Sequence, residues 1–327
     1  MTDGDASGRP VRTLFLGSGT FAVPILRALA EAPEVALVAV ITAPPRPAGR
    51  TGDLRPTPVA EAASLLGLPV LTPGRLREPV TQEAIAALAP GLIVLADYGR
   101  IVPGALLDLP AHGALNLHPS LLPRHRGATP LPAAILAGDT ETGVTLMRMD
   151  EGVDTGPIVA VRRLALRGDE RAPALEATLA ALAAELLRAS LGPWLAGSLP
   201  ARPQPAAGAS LTRPLRKEDA RLDPGLGAER LARVVRAYDP WPGAWLELPS
   251  GRLIVHEATA VPGAPTPEAP PGTLVAHADG VALVTSAGLL VLGSVQPAGK
   301  RRMSGAEWRR GLRELLAAPG AGSADRG

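Results

Sequence analysis

The apolar residues in the first part of the chain form short continuous runs, separated by stretches in which apolar residues recur with helical spacing. The runs cover residues 11–19, 35–43, 68–71, 91–99 and 113–120, and the helical stretches cover residues 20–32, 59–66, 82–88, 128–138 and 172–191. Continuous apolar runs are typical of strands that are buried on both faces. The pattern therefore predicts a parallel sheet covered by helices on both sides and built from right-handed βαβ units.

The pattern changes towards the second half of the chain. Residues 143–150 and 156–166 alternate apolar and polar positions, which predicts an antiparallel pair of strands. Residues 197–210 are rich in Pro, Ala and Gly and are predicted to be a linker. An amphipathic helix is predicted at residues 227–240, followed by short strands with Gly and Pro turns that are typical of a small barrel or sandwich.

The predicted fold class is α/β, with a doubly wound Rossmann-like domain followed by a smaller antiparallel β-barrel of OB-like form. A length of 327 residues also favours two domains. The predicted organisation is a catalytic domain at residues 1–196, a linker at 197–210, a barrel domain at 211–318 and a flexible tail at 319–327.

Composition excludes several classes of protein. The chain has no Cys, which rules out disulfides, thiolate metal sites and cysteine nucleophiles. No apolar run reaches the ~18 residues that a membrane span requires, and the first residues do not have the pattern of a signal peptide. We therefore expect a cytoplasmic protein that does not contact a membrane.

Charge is distributed unevenly along the chain. Residues 1–205 carry 18 basic and 19 acidic residues, and residues 206–327 carry 15 and 12, which gives −1 and +3 and sums to the net +2. The basic residues of the second part cluster at residues 211–219 and 299–314. Such clusters are compatible with a solvated face or with a surface that binds a polyanion.

Two motifs are weak when taken alone. The sequence "GSGTFA" at residues 17–22 fits the glycine fingerprint of dinucleotide-binding sites, but no acidic residue follows the second strand, where the ribose would need one. The turn therefore favours helix packing or phosphate binding over NAD binding. The five His residues show no metal-binding spacing, so no metal is expected, and Ser120 lacks the context of a hydrolase nucleophile.

The polar residues Asn116, His118 and Asp154 are more informative together. Asn116 and His118 are two residues apart on a predicted strand, so their side chains point to the same face. They lie at the carboxyl end of a parallel strand, where open α/β sheets bind their ligands. Asp154 lies in a loop between Gly152 and Gly156. An amide, an imidazole and a carboxylate that converge there would suit acyl transfer without a covalent intermediate, although Asn116 alone could simply cap a turn.

The segment "NLHPSLLPRHRGATPL…TGVTLMRMDEGVDTG" resembles the signature of the 10-formyltetrahydrofolate-dependent formyltransferases. The resemblance includes "PPRPAGR" and "DYGRIVP", and in the second domain "RKEDARLD", "RVVRAYDPWPGAWLEL" and "VQPAGKRRMS". These later matches resemble the members that formylate the methionine carried by initiator tRNA. The resemblance therefore implies 10-formyltetrahydrofolate as co-substrate, initiator methionyl-tRNA as partner, translation initiation as the context, and no metal. We also expect a monomer.

The resemblance assigns roles to individual residues. The catalytic residues would be Asn116 as oxyanion donor, with His118 and Asp154 for proton movement. The implied folate-binding residues are Ser120, Leu121, Leu122, Pro123, Asp97 and Tyr98. The implied tRNA-binding residues are Arg46, Arg50, Lys300, Arg301 and Arg302. No lysine follows Arg50 at residues 51–59, where members of the family usually carry several, so the arginines would make that contact alone.

Three other functions are compatible with parts of the sequence. A formyltransferase for a small amine, such as an amino-sugar nucleotide, would leave the basic clusters without a purpose. A formyltetrahydrofolate hydrolase would need water to reach the formyl carbon in place of an amine. A non-catalytic RNA-binding protein would leave Asn116, His118 and Asp154 without a role.

Overall fold

The structure, a computed structural model, describes residues 9–48, 52–263, 269–278 and 280–312. The chain folds into two compact units. Unit 1 contains the described residues up to Pro130 together with Glu141–Leu166 and Leu175–Arg213. Unit 2 contains Leu131–Thr140, Arg167–Ala174 and the described residues from Pro214 onward. The predicted domain boundaries are continuous in sequence and the units are not, so those boundaries stay a prediction.

The first eleven strands belong to unit 1. They are β1 (Val11–Gly17), β2 (Val35–Ile41), β3 (Arg46–Ala48), β4 (Asp53–Arg55), β5 (Val70–Leu71), β6 (Leu92–Ala96), β7 (Ala114–His118), β8 (Arg126–Gly127), β9 (Glu141–Arg148), β10 (Ile158–Ala165) and β11 (Leu211–Thr212). The helices in the same part of the sequence are α1 (Ala22–Ala30), α2 (Pro58–Leu65), α3 (Pro79–Ala86), α4 (Gly104–Leu107), α5 (Pro130–Ala137) and α6 (Ala172–Leu195).

Seven of these strands form the main sheet of unit 1, in the order β10-β9-β7-β6-β1-β2-β5. The pairs that join β7, β6, β1, β2 and β5 are parallel, whereas β9 pairs antiparallel with β7 and β10 antiparallel with β9. All five residues of β6 and of β7 are buried. The predicted parallel sheet and the predicted antiparallel pair are both confirmed, and the structure places the pair at one edge of that sheet.

Local sequence signals set the helix starts. The side chain of Thr57 accepts a hydrogen bond from Ala60 N at 3.0 Å and Pro58 follows it, which begins α2. Helix α3 begins at Pro79, three residues before the predicted start, because proline fits the first turn of a helix. Helix α4 and the short ribbons β3–β4 and β8–β11 were not predicted, since each has too few residues to show a period.

Unit 2 contains a six-stranded antiparallel sheet. Its strands are β12 (Trp245–Leu248), β13 (Gly251–Val261), β14 (Leu274–His277), β15 (Gly280–Val284), β16 (Leu289–Pro297) and β17 (Met303–Ser304). The order is β12-β13-β16-β15-β14, with β17 also paired to β16. The sheet is curled into a half-barrel, which confirms the predicted fold class, with β12 and β14 at the two ends of the strand order.

Besides most of α5, the described residues of unit 2 include a 3₁₀ helix at Lys217–Ala220, α7 (Ala228–Ala237) and α8 (Gly305–Arg310). The predicted amphipathic helix is confirmed as α7, which buries Leu231 and Val235 and carries a row of arginines. Ser304 and Glu307 form a capping box that begins α8. None of the helices in the described part of the chain combines the length and the apolarity needed to cross a membrane.

Candidate active site

Asn116 and His118 lie on β7, in the interior of the main sheet. Both side chains are buried, at 6% and 5% exposure. A buried polar group destabilises the fold unless it forms hydrogen bonds. Both residues find a partner in Asp154, because Asn116 Nδ2 donates to Asp154 Oδ1 at 3.3 Å and His118 Nδ1 lies 3.5 Å from Asp154 Oδ2. The structure thus brings together the three residues that the sequence placed at this strand end.

Asp154 is held by backbone as well as by side chains. Its Oδ2 accepts a hydrogen bond from Gly127 N at 2.7 Å, so the two carboxylate oxygens meet donors from two different segments. The φ angle of Asp154 is 51°, a left-handed conformation that Asp adopts more readily than most residues. At Gly156 a Cβ atom would lie 1.9 Å from Arg148 O, so only glycine allows the loop to approach β9 this closely.

The second ring nitrogen of His118 also has a protein partner. Its Nε2 lies 2.9 Å from His125 O. A carbonyl oxygen only accepts hydrogen bonds, so Nε2 carries a proton, while Nδ1 faces the carboxylate of Asp154. His125 itself has a left-handed φ of 55° and its backbone N donates to Ser210 Oγ at 2.8 Å. The imidazole orientation is therefore fixed from both sides.

Two residues that the sequence did not indicate support this arrangement. Gln204 Nε2 donates to Asp154 O at 2.8 Å and to Gly156 O at 2.7 Å. Gln204 Oε1 accepts from Arg126 Nε and Nη2 at 3.1 and 2.7 Å. Gln204 was missed at the level of sequence because it lies in the segment whose composition predicted a linker. The only feature that could have indicated a role for it is that a single amide side chain stands among prolines.

The segment that contains Ser120, Leu121, Leu122 and Pro123 follows β7 directly. Ser120 is fully buried, and its hydroxyl donates to Arg124 O at 2.7 Å. Thr145 Oγ1 donates to Ser120 O at 2.7 Å and accepts from Leu122 N at 3.1 Å, which ties the turn to β9. Leu121 is half-buried, and the other three residues are buried. Folate contacts by these four residues stay a prediction.

Asp97 and Tyr98 follow β6, the strand beside β7. Asp97 O accepts hydrogen bonds from Ser18 N at 2.9 Å and from Gly19 N at 3.3 Å, so the glycine turn after β1 is anchored here. A Cβ atom on Gly19 would lie 1.7 Å from Asp97 Oδ2, so a side chain at this position would require the Asp97 carboxylate to move. Tyr98 is buried in the apolar core, and its hydroxyl has no hydrogen-bond partner among the described residues. Burial raises the pKa of Tyr98.

Asp97 has an unusual electrostatic environment. The residue is exposed to solvent, and its carboxylate lies against Gly19 of the glycine turn. Desolvation by the surrounding protein and the negative charge of Glu176 raise the pKa of Asp97 to about 6 from its ordinary value of 3.8. Glu176 also accepts a short hydrogen bond from Thr20 in the glycine turn. A folate contact by Asp97 or Tyr98 stays a prediction.

The predicted tRNA-binding residues lie in separate parts of the fold. Arg46 is exposed on β3, opposite Arg55 of β4, and Arg50 lies outside the described residues. Lys300, Arg301 and Arg302 are exposed near the end of unit 2. Two of the three form ion pairs, Arg301 with Glu307 at 3.2 Å and Arg302 with Glu257 at 2.5 Å. The cluster is therefore less positive than its sequence suggests.

The Asn116 amide retains one N–H beyond the one that contacts Asp154, and an imidazole and a carboxylate lie beside it. This set can stabilise an oxyanion and move a proton. No cluster of three His, Asp or Glu side chains suited to a metal ion occurs in the part of the chain that the structure describes.

Comparison with known proteins decides the family. Residues 11–191 match the formyl transferase family model, and residues 214–313 match the formyl transferase C-terminal domain. The chain belongs to the formyltransferase family. This formyltransferase is 44% identical over 311 residues to the methionyl-tRNA formyltransferase of Roseiflexus sp. (strain RS-1), covering 93% of each chain. It is 45% identical over 301 residues to that of Myxococcus xanthus (strain DK1622), covering 92% and 95% of the two chains.

Solved structures show the same fold at lower identity. HypX from Aquifex aeolicus in complex with tetrahydrofolic acid matches with a TM-score of 0.60 at 20% identity, covering 94% of this formyltransferase and 49% of HypX. An N-formyltransferase from Helicobacter canadensis, complexed with folinic acid and dTDP-3-aminofucose, matches with a TM-score of 0.63 at 16% identity, covering 86% and 98%. At these identities the matches bear on the fold alone.

Proposed function

We propose that this chain transfers the formyl group of 10-formyltetrahydrofolate to the α-amino group of methionine on initiator tRNA. The observation that carries the proposal is the identity of 43–45% over at least 90% of the chain to proteins named methionyl-tRNA formyltransferase. The matched C-terminal domain accounts for residues 214–313, about the last third of the chain. We further propose that the protein works in the cytoplasm, where charged tRNA is used.

The reaction forms one bond and breaks one. The neutral amine nitrogen attacks the formyl carbon, the carbonyl oxygen becomes an oxyanion, and the bond from carbon to N10 of the folate then breaks. One proton leaves the amine and one arrives at N10, so no oxidant or reductant is needed. The second N–H of the Asn116 amide, which does not contact Asp154, would donate to the oxyanion, where charge develops in the transition state.

Asp154 and His118 would manage the proton. The carboxylate of Asp154 holds Asn116 through Oδ1 and faces His118 through Oδ2, so a single group sets the positions of both partners. A negative charge beside the imidazole stabilises its protonated form during proton transfer to the leaving N10. This division of roles for Asn116, His118 and Asp154 is the proposed mechanism.

The test is a formylation assay with the full-length chain. Charged initiator tRNA, charged elongator tRNA and a dTDP-linked amino sugar would be offered in parallel with 10-formyltetrahydrofolate. We expect formyl transfer to the initiator tRNA and a much lower rate with the other two. Transfer to the amino sugar alone would contradict the proposal, as would hydrolysis of the folate without transfer to any amine.

A further inference from the structure

The amide of Gln204 uses its complete hydrogen-bonding capacity next to Asp154. Both of its N–H groups donate, to Asp154 O at 2.8 Å and to Gly156 O at 2.7 Å. Its oxygen accepts from Arg126 Nε and Nη2, at 3.1 and 2.7 Å. Because arginine only donates, Arg126 fixes which end of the amide faces the loop. The orientation of Gln204 is thus defined by its partners.

The loop that carries Asp154 needs such a support. Asp154 has a φ of 51° and lies between Gly152 and Gly156, and a Cβ atom on Gly156 would lie 1.9 Å from the backbone oxygen of Arg148. Glycine gives a loop more conformational freedom, so external contacts must select one conformation. The two hydrogen bonds from Gln204 bracket the residue that holds Asn116 and His118.

The backbone around Gln204 is itself fixed. Ile158 N donates to Arg202 O at 2.7 Å and Arg202 N donates to Ile158 O at 2.8 Å, which pins the segment on one side of Gln204. On the other side, Arg126 N donates to Ser210 O at 2.9 Å. The predicted linker is therefore a strap attached at two points to unit 1, with Gln204 between them.

Gln204 does not fill the apolar core. It is half-buried and, together with Arg126, Thr155, Pro157 and Pro203, lines an open recess of about 530 Å³. A side chain in such a place contributes little to packing, so its hydrogen bonds are the main reason for its identity. A methionine of similar length would fit the same space without any of these bonds.

We propose that Gln204 is a positioning residue for formyl transfer, acting through Asp154. Its two N–H groups hold the backbone of the 154–156 loop so that the carboxylate of Asp154 meets Asn116 and His118. This inference rests on the proposed function, since the reaction it serves is the transfer described above. All four hydrogen bonds of Gln204 are made with protein groups.

Two substitutions distinguish the hydrogen bonds of the amide nitrogen from those of the amide oxygen. Gln204→Glu keeps an acceptor for Arg126 but places a carboxylate oxygen against the carbonyls of Asp154 and Gly156, whereas Gln204→Met loses all four bonds. We expect both to lower kcat by about tenfold to a hundredfold, the range associated with small displacements of catalytic groups, with little change in KM for the folate. The matched control is Gln82→Glu on α3, which should retain the parental kcat. Parental kcat in both Gln204 variants would overturn the proposal.

The effect should depend on the carboxylate of Asp154. In an Asp154→Ala background, adding Gln204→Glu should lower the residual single-turnover rate no further, because residues that act through one group are not additive. A purely structural role would reduce the rate by the same factor in both backgrounds, and that result would contradict positioning through Asp154.

A readout independent of activity distinguishes this proposal from the proposed function. The ¹⁵N signals of the His118 ring report its contact with Asp154, and they should move in Gln204→Glu but not in Gln82→Glu. If the parent chain does not formylate methionyl-tRNA, the proposed function fails, whereas the His118 signals still decide the position of Asp154. Unchanged His118 signals in Gln204→Glu would overturn the positioning role.

Discussion

At the residue scale, the site depends on one carboxylate with two differently occupied oxygens. Asp154 Oδ1 accepts from Asn116, while Oδ2 accepts from Gly127 N and faces His118. An amide in this position can offer only one acceptor oxygen. Its NH₂ group would then face either the Asn116 amide or the Gly127 N–H. The isosteric change to Asn therefore removes the negative charge and also one of these two hydrogen bonds.

Asp154→Asn and Asn116→Ala should therefore each reduce formyl transfer strongly. For Asn116→Ala we expect a loss on the order of a hundredfold or more, about 3 kcal/mol of barrier, as for removal of an oxyanion donor elsewhere. The measurement is the single-turnover rate, with thermal melting as the control for folding. A folded variant that reacts at nearly the parental rate would remove that residue from the mechanism.

Asp97 makes a second prediction at this scale. Its folded-state pKa of about 6 lies above the ordinary value of 3.8, so between these values the folded protein holds a proton that the unfolded chain has released. Stability should consequently fall as pH rises through this window. Asp97→Asn cannot ionise, and asparagine accepts the left-handed φ of 45° found here.

We expect Asp97→Asn to raise Tm relative to the parent above pH 6, with a difference that shrinks towards pH 4. Glu176→Gln should give a smaller change with the same sign, because the charge of Glu176 is the lesser of the two causes. Asp108→Asn is the matched control. A Tm difference for Asp97→Asn that is constant from pH 4 to pH 8 would contradict the raised pKa.

At the scale of elements, the ribbon β3–β4 is one of the features that the sequence pattern did not predict. Its strands pair Arg46 with Arg55 and Ala48 with Asp53, and Arg50 lies between them in the sequence, outside the described residues. The ribbon follows β2, which runs parallel to β7, so both strands finish at the same end of the sheet. A segment that rises at this end suits contact with a substrate larger than a small amine.

Arg50→Ala should lower the rate with charged initiator tRNA by more than about tenfold, at least ~1.4 kcal/mol, without changing folate affinity. Arg50→Lys should restore little, because lysine lacks the planar fork that guanidinium presents to phosphate or base edges. Arg55→Ala on β4 is the comparison for general loss of charge. A parental rate for Arg50→Ala on charged initiator tRNA would favour a small-amine substrate.

At the scale of the whole molecule, the excess of positive charge belongs to the second part of the chain. Residues 206–327 carry 15 basic and 12 acidic residues, a net +3. Arg301 forms an ion pair with Glu307, and Arg302 forms one with Glu257. Lys300 is exposed, as both arginines are. Exposed ion pairs contribute little to stability, but a paired guanidinium attracts a phosphate less than a lone cation does.

Substitution of this cluster should change the salt dependence of tRNA binding. Lys300→Ala should reduce the slope of log affinity against log salt by up to about 0.9 for one lost phosphate contact. Adding Arg301→Ala and Arg302→Ala should reduce the slope further, but by less than the loss of two full phosphate contacts would, because both arginines are partly neutralised by their carboxylate partners. Charged and uncharged tRNAs should weaken alike. An unchanged slope in the triple variant would mean that the cluster is a solvated face.

The sequence by itself determined the parts of this protein that depend on repeated local patterns. Continuous apolar runs specified the parallel strands, because a strand covered on both faces needs apolar residues at every position. Asn116 and His118 could be paired because residues two apart on a strand share a face. Asp154 could be added because glycines mark loops with special backbone conformations.

Only the tertiary structure decided the residues that act across long sequence distances. Gln204 reaches the backbone of Asp154 from 50 positions away, and its segment has the composition of a linker, so no local period distinguishes it. The pairing of Arg301 and Arg302 with carboxylates, and the effect of Glu176 on the pKa of Asp97, have the same origin. Hydrogen bonds and charges depend on distances in space, and these exist only once the sheet has brought separate segments together.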